Sequence, residues 1–166
     1  MRVLGVDPGT QHLGYGVVDV DGTSVRAVAW GTVEGGRGLD IALRLHRIHQ
    51  GLAAITTQHR PEVLAVEEPF VSVERGAKAA VAVGQAQAVA LLLAAGMNIP
   101  IHRYSPAKVK SAVANYGAGS KAQVQRTVQL VLGMPTEPMS EDASDALAVA
   151  LTHVQEWRAA QRVRSA

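Results

Sequence analysis

The chain has 166 residues, of which 48% are apolar, and its formal net charge is +2. This length is typical of one domain, and the apolar content is sufficient for a hydrophobic core. The sequence contains no cysteine, which excludes disulfides and cysteine-ligated zinc and fits a reducing cytosol. The first apolar run is short and is interrupted by Asp7, so it does not have the pattern of a signal peptide.

The charged residues are unevenly distributed along the chain. Residues 1–74 carry a net charge of −3 and residues 137–166 carry −2, whereas residues 75–136 carry +7 and contain no Asp or Glu. A folded block of this length without a carboxylate predicts a surface that contacts a polyanion. The alternative is that much of the block forms alanine-rich core helices, which leave little room for charge.

The first half of the chain predicts an antiparallel meander followed by a helix and another buried strand. Asp21-Gly22 suits the two-residue turn of a hairpin, and from Leu39 the apolar spacing becomes that of an amphipathic helix. A strand reached through a helix is often parallel to an earlier one, and a continuous apolar run suits a strand buried on both faces. The expected strands are Val3–Val6, Tyr15–Val20, Ser24–Val33 and Val63–Val66, and the helix ends at Arg60-Pro61.

The second half of the chain predicts mostly helices. The expected helices are Lys78–Met97, Pro106–Asn115, Lys121–Leu132 and one from the N-cap Ser140 to about Arg158, with a strand at Ile99–Tyr104. We therefore expect one domain over residues 1–158 and a short, mobile tail over residues 159–166.

One apolar segment needs a separate interpretation. The stretch between Lys78 and His102 contains no charged residue and is long enough to span a bilayer. It also contains Gln85, Gln87 and Asn98, and alanine, which dominates it, contributes little to membrane insertion. We therefore expect a packed or subunit-interface helix and no membrane association.

Acidic residues follow both strands that we expect to be parallel. Asp7 follows the first strand, and Glu67 and Glu68 follow the strand that ends at Val66. Ligands of open α/β sheets gather at the carboxyl ends of strands, so Asp7 and one glutamate are expected to meet if the strands are neighbours. Successive side chains of a strand point in opposite directions, so only one of the two glutamates can face the site. The residues alone leave both glutamates open.

Two further acids begin the last predicted helix. Asp142 and Asp145 are three residues apart, which places their side chains on one helical face. With Asp7 and a glutamate they could bind two magnesium ions, which clamp the attacking and leaving oxygens of a phosphodiester. Each acid also has an ordinary explanation, because the macrodipole favours acids in a first helical turn and an acid after a strand suits a turn.

Seven motifs together resemble the RuvC family of Holliday junction resolvases, in the family's order and near its spacing. The resemblance runs from Arg2 to about Val154 and covers nearly the whole chain. The motifs are VLGVDPGT, LGYGVV, AVEEPF, VGQAQAVA, YSPAKVK, SKAQVQ and EDASDALAVALTH. The DPGT part of the first motif is weak alone, whereas the ordered set is highly specific.

The resemblance implies an α/β, RNase H-like fold with a mixed five-stranded sheet flanked by helices. It implies a cytoplasmic homodimer that resolves four-way DNA junctions in recombination and repair, by paired symmetrical nicks that leave 5′-phosphate and 3′-hydroxyl ends. The implied cofactor is Mg²⁺, two ions in each active site, with Mn²⁺ able to substitute. The implied catalytic and metal-binding residues are Asp7, Glu67, Asp142 and Asp145. This match selects Glu67 over Glu68.

The resemblance also assigns DNA contacts. Phe70 falls at an aromatic position that meets the junction centre, although a lone phenylalanine is more often a core residue. Lys110 and Lys121 fall at DNA-binding lysines. Arg75 and Lys78 are weaker candidates, because the tract Ser72–Ala79 differs from the family pattern. A branch-migration complex of the RuvA and RuvB type is implied as a partner by the resemblance alone.

Three alternatives stay open at this point. An RNase H-like ribonuclease of the YqgF kind shares the opening strand and turn, but is not expected to match YSPAKVK and EDASDALAVALTH together. An actin-like ATP-binding protein would use Asp7-Pro8-Gly9-Thr10 as a phosphate loop, but needs two such domains. A junction-binding module without catalysis is opposed by the four intact acids.

Overall fold

The computed structural model describes residues 1–69, 76–114 and 121–164. Within these residues it contains five strands and five helices: the first three elements are strands, helices and strands alternate in the middle, and the last three elements are helices. In chain order they are β1 (Arg2–Asp7), β2 (His12–Asp21), β3 (Ser24–Glu34), α1 (Ile41–His59), β4 (Val63–Glu67), α2 (Gly76–Gly96), β5 (Ile101–Tyr104), α3 (Pro106–Ala114), α4 (Lys121–Val131) and α5 (Glu141–Arg164).

The five strands form one mixed sheet in the order β3-β2-β1-β4-β5. The first three strands are antiparallel neighbours, whereas β4 pairs in parallel with both β1 and β5. The predicted meander and the predicted parallel pairing are therefore confirmed. The predicted hairpin turn was wrong by one residue, because Asp21 pairs with Ser24 and the turn consists of Gly22 and Thr23. Gly22 has a φ of 54°, a conformation that glycine adopts without steric cost.

The sheet separates two hydrophobic cores. Alternate residues of a strand point to opposite faces, and in β1 Val3 packs in the core beneath α5, whereas Leu4 and Val6 pack in the core beneath α1 and α2. The same alternation in β4 places Ala65 on the α5 face. The face of any later residue in β1 or β4 follows from this pattern.

Helix α5 crosses β1 and β2 at unusually short range, because glycines lie under it. A Cβ atom at Gly5 would be 2.8 Å from the Ala150 Cβ, and one at Gly16 would be 2.6 Å from Leu147 Cδ2. Real side chains do not pack this closely. The glycines therefore let the backbone of α5 rest directly on the sheet.

The last two features of the fold are where α5 begins and ends and how far α2 is exposed. The Ser140 hydroxyl accepts a hydrogen bond of 3.2 Å from the Ala143 backbone N–H, so the predicted N-cap is confirmed. Helix α5 continues to Arg164, beyond its predicted end near Arg158. Helix α2 is long and apolar enough to span a membrane by composition, yet only 22% of its most apolar 18-residue stretch is buried.

Candidate active site

Asp7 and Glu67 end two neighbouring parallel strands at the same edge of the sheet. Val6 pairs with Val66, and each acid is the next residue of its strand and is half-buried. Asp7 lies two residues after Gly5, and Glu67 lies two residues after Ala65, so both acids belong to the face covered by α5. The carboxyl ends of β1 and β4 thus bring these two acids together.

Glu68 belongs to the opposite face of β4. Its backbone N–H donates to the Tyr104 carbonyl at 2.8 Å, so the β4–β5 pairing extends to it. Its carboxylate lies 3.6 Å from Arg103 Nε. The alternation that places Glu67 beneath α5 therefore directs Glu68 away from it, in agreement with the choice of Glu67 that the family resemblance implies.

The first turn of α5 lies over the end of β1. Gly14 pairs with Asp7, and a Cβ at Gly14 would overlap the Asp142 carbonyl and lie 3.1 Å from the Asp142 Cβ. Asp145 follows Asp142 by three residues, so it shares a helical face with it, and both are half-buried. The four acids therefore gather at one edge and on one face of the sheet.

The side chains of these acids do not form a ready-made metal cluster. Within residues 1–69, 76–114 and 121–164, no group of three or more His, Asp or Glu side chains is positioned to hold a metal ion. The four acids thus share the placement of their backbones at this edge of the sheet. Their carboxylate oxygens form a donor set that suits hard divalent cations.

The backbone at Glu67 is held from a helix on the other side of the sheet. The Gln87 side-chain amide donates a hydrogen bond of 3.0 Å to the Glu67 carbonyl oxygen, and Gln87 is buried in α2. In the sequence, Gln87 stands out only as a polar interruption of an apolar helix. Its polarity within that apolar stretch was the available signal.

An aromatic cluster joins β5 to α5, and within it His153 is buried, Tyr104 is half-buried and His102 is exposed. The Tyr104 hydroxyl is joined to His153 Nδ1 by a hydrogen bond of 2.8 Å, and the His102 ring centroid lies 4.5 Å from that of His153. Burial, and then the nearby His102, lower the pKa of His153 to about 4. Burial, and then the Glu156 charge, raise the pKa of Tyr104 to about 12. Both groups are therefore neutral near pH 7 and brace α5 against β5.

The structure describes some of the predicted DNA-binding residues but not all of them. Lys78 in α2 and Lys110 in α3 are exposed. Lys121 begins α4. Phe70 and Arg75 lie outside the described residues.

Comparison with known proteins identifies the family. The sequence profile described as "Crossover junction endodeoxyribonuclease RuvC" matches residues 3–153. The chain is 44% identical to a protein of that name from Thermomicrobium roseum over 164 residues, which cover 99% of each chain. It is 42% identical to another from Syntrophomonas wolfei over 158 residues, covering 95% of this chain and 91% of the relative.

A solved structure of Thermus thermophilus RuvC in complex with a Holliday junction substrate is similar over 96% of both chains, with 36% identity and a TM-score of 0.87. This agreement confirms the α/β, RNase H-like fold. The family profile, the relatives and the shared fold agree, and the chain belongs to the RuvC family of crossover junction endodeoxyribonucleases.

Proposed function

We propose that this chain resolves four-way DNA junctions by paired symmetrical nicks, with Asp7, Glu67, Asp142 and Asp145 as the catalytic, metal-binding residues. The observation that carries the proposal is the position of Asp7 and Glu67, which end adjacent parallel strands beneath the acidic first turn of α5. Membership of the RuvC family supports the assignment to a junction endonuclease.

The donor set fits two divalent cations of the magnesium type. Carboxylate oxygens are the ligands that Mg²⁺ and Mn²⁺ prefer, and four of them share this edge. When bound, such ions supply an activated water and stabilise the charge that develops on the phosphodiester. Without cations, like charges repel at short range, so we expect the carboxylates to converge only when ions are present.

The protein scaffold has its own part in the reaction. The strand ends fix the backbone of Asp7 and Glu67, and the N-cap of α5 fixes Asp142 and Asp145 beside them. Groups held on rigid elements keep their geometry through the reaction. The expected products are 5′-phosphate and 3′-hydroxyl ends.

Basic and aromatic residues outside the carboxylate site are proposed to bind the junction. Lys78, Lys110, Lys121 and Arg75 would contact phosphates and give an affinity that falls with salt. Phe70 would stack on an unpaired base at the junction centre. These contacts would determine the position of the DNA, while the shape of the junction supplies selectivity.

A homodimer fits the two-fold symmetry of the substrate. Helix α2 offers an apolar surface for it, because Val81 is 60% exposed and Leu92 is 74% exposed. We propose that this surface, rather than a lipid bilayer, accounts for the apolar character of α2, and that the protein acts in the cytoplasm. A partnership with a branch-migration complex of the RuvA and RuvB type rests on the resemblance alone.

A substrate comparison tests the proposed function. The protein is incubated with Mg²⁺ and a mobile four-way junction, a linear duplex or an RNA–DNA hybrid of the same sequence. Paired nicks confined to the junction, with ends that ligase seals, are expected. Cleavage of the hybrid alone would favour a ribonuclease of the YqgF kind, and junction binding without cleavage would indicate a non-catalytic module.

A further inference from the structure

Arg44 of α1 lies at the same edge of the sheet as Asp7, but on the opposite face. Arg2 Nη1 donates to the His59 carbonyl at 2.8 Å, so α1 ends near the start of β1 and begins near its carboxyl end. There Arg44 Nη1 lies 3.4 Å from Thr10 Oγ1. Thr10 is buried and follows Asp7 by three residues, within the turn that leaves β1.

The Arg44 guanidinium has no carboxylate partner in the part of the chain that the structure describes. Its Nε is buried and makes no hydrogen bond to any described residue. Arg2 and Arg26, by contrast, pair with Asp19 at the other end of β1. A half-buried cation in the first turn of a helix is also opposed by the macrodipole. Packing within the protein alone therefore does not explain why a charged side chain lies at this position.

A second arginine lies one turn along the same helix. Arg47 Nη1 would be 2.8 Å from a Cβ at Gly36, so its side chain lies along the loop after β3. The Gly35 N–H donates to the Gln11 carbonyl at 2.7 Å, which fixes that loop to the turn containing Thr10. Positions three apart share a helical face, so Arg44 lies against the turn and Arg47 lies against the loop that is hydrogen-bonded to it.

We propose that Arg44, with Arg47 beside it, binds a backbone phosphate of the DNA strand that crosses the carboxylate site. The proposal rests on the proposed function, which supplies DNA as the ligand. A strand that passes over this edge of the sheet meets carboxylates on the α5 side and guanidinium groups on the α1 side. A planar guanidinium donates paired hydrogen bonds to phosphate oxygens, and a phosphate contact positions DNA without reading its sequence.

The competing explanation is that Arg44 only supports the turn through Thr10. Its contact with the Thr10 hydroxyl is at the long end of hydrogen-bond distances, which argues for a weak support. The two roles differ in what they predict for salt. Loss of one phosphate contact lowers the dependence of the affinity on salt, whereas loss of a support lowers stability and leaves that dependence unchanged.

The test compares Arg44→Gln, Arg44→Lys, Arg47→Gln and the control Arg162→Gln, each combined with Asp7→Asn to prevent cleavage. Arg162 is exposed in the last turn of α5, away from this edge. Affinity for a four-way junction is measured across a series of salt concentrations, with thermal unfolding of each variant alongside. Removal of the contact should weaken binding several-fold and lower the slope of log affinity against log salt by about one.

We expect both glutamine variants to lower the slope, and Arg44→Lys and Arg162→Gln to keep it. An unchanged slope in Arg44→Gln, with or without a lower melting temperature, overturns the phosphate contact while leaving the resolvase function in place. If Arg44→Gln does not fold, retention of the slope by Arg47→Gln overturns the proposed pair. Loss of binding in the parent Asp7→Asn protein alone would point to a structural role of Asp7, whereas no binding by the unsubstituted protein either, assayed without divalent cations, overturns the proposed function itself.

Discussion

Gly14 of β2 lies directly against the Asp142 carbonyl of α5, so that a Cβ atom at Gly14 would overlap this oxygen. Because Gly14 also pairs with Asp7, this contact sets the distance between the acidic turn of α5 and the end of β1. The absence of a side chain at Gly14 thus allows the first turn of α5 to approach the end of β1.

Gly14→Ala should therefore reduce both stability and cleavage. Forcing a methyl group into a packed core costs about 1–3 kcal/mol, and here the opposing atom is backbone, which cannot rotate away. We expect a loss of this size in urea unfolding and a larger loss of cleavage than of junction affinity. Gly96→Ala is the matched control, because a Cβ there meets nothing within 4 Å. Equal effects of both substitutions would contradict the role of the close approach.

Substitutions of the neighbouring residues Glu67 and Glu68 are expected to have opposite effects on cleavage. Glu67→Gln should abolish cleavage, since it removes a charged ligand from the α5 face, and should leave junction affinity intact in the absence of metal. Glu68→Gln removes only an exposed contact with Arg103 and should keep cleavage within about twofold, because surface ion pairs contribute little. Gel assays of cleavage and binding distinguish the two, and a reversed result would overturn the face assignment.

Gln87 is expected to control the position of Glu67 without contacting the substrate. Gln87→Leu leaves the Glu67 carbonyl without its donor, and an unsatisfied buried acceptor costs about 1–3 kcal/mol. We expect the Mg²⁺ concentration for half-maximal cleavage to rise several-fold, while junction affinity without metal stays constant. Gln85→Leu, at an exposed position of the same helix, is the control. A loss of stability with an unchanged Mg²⁺ requirement would reduce Gln87 to a structural role.

Much of the fold could be predicted because its signals are local. The apolar runs of β1 and β4 end at acids, and the Ser140 cap depends on neighbouring residues only. The choice between Glu67 and Glu68 was different, because without the family resemblance it depends on which strand β4 pairs with and in which register.

The parts that the sequence did not predict depend on packing between distant segments. Nothing local to Gly14 indicates that α5 will cross it, and nothing local to Arg44 indicates that Thr10 will lie beside it. Likewise, the hairpin turn moved by one residue to Gly22-Thr23, because the long β2–β3 pairing determines the register and the turn accommodates it.

Leu92 tests the proposed subunit interface. Its side chain is 74% exposed on the apolar helix α2, and a large exposed apolar residue there is explained by burial against a second copy. Leu92→Arg should convert a dimer into a monomer in sedimentation experiments and abolish paired nicking, while the isolated fold keeps its stability. Leu130→Arg is the control, since Leu130 is 72% exposed but lies on α4. Dimers that persist in Leu92→Arg would exclude this part of α2.

His153 should make the protein less stable in mild acid. Its pKa is about 4 in the folded protein against 6.5 for the free group, so between these values the unfolded chain binds a proton that the folded chain does not. The contribution of His153 to the free energy of unfolding is therefore fully present above about pH 6.5. It is lost as the pH falls towards 4, by on the order of 3 kcal/mol. The Arg2–Asp19 pair acts in a lower range, because hydrogen bonding to Arg2 lowers the pKa of Asp19 from 3.8. Urea unfolding between pH 7 and 4 measures the loss, and His153→Gln should remove most of this slope while lowering stability at pH 7. A variant that kept the same slope would assign the acid sensitivity to other groups.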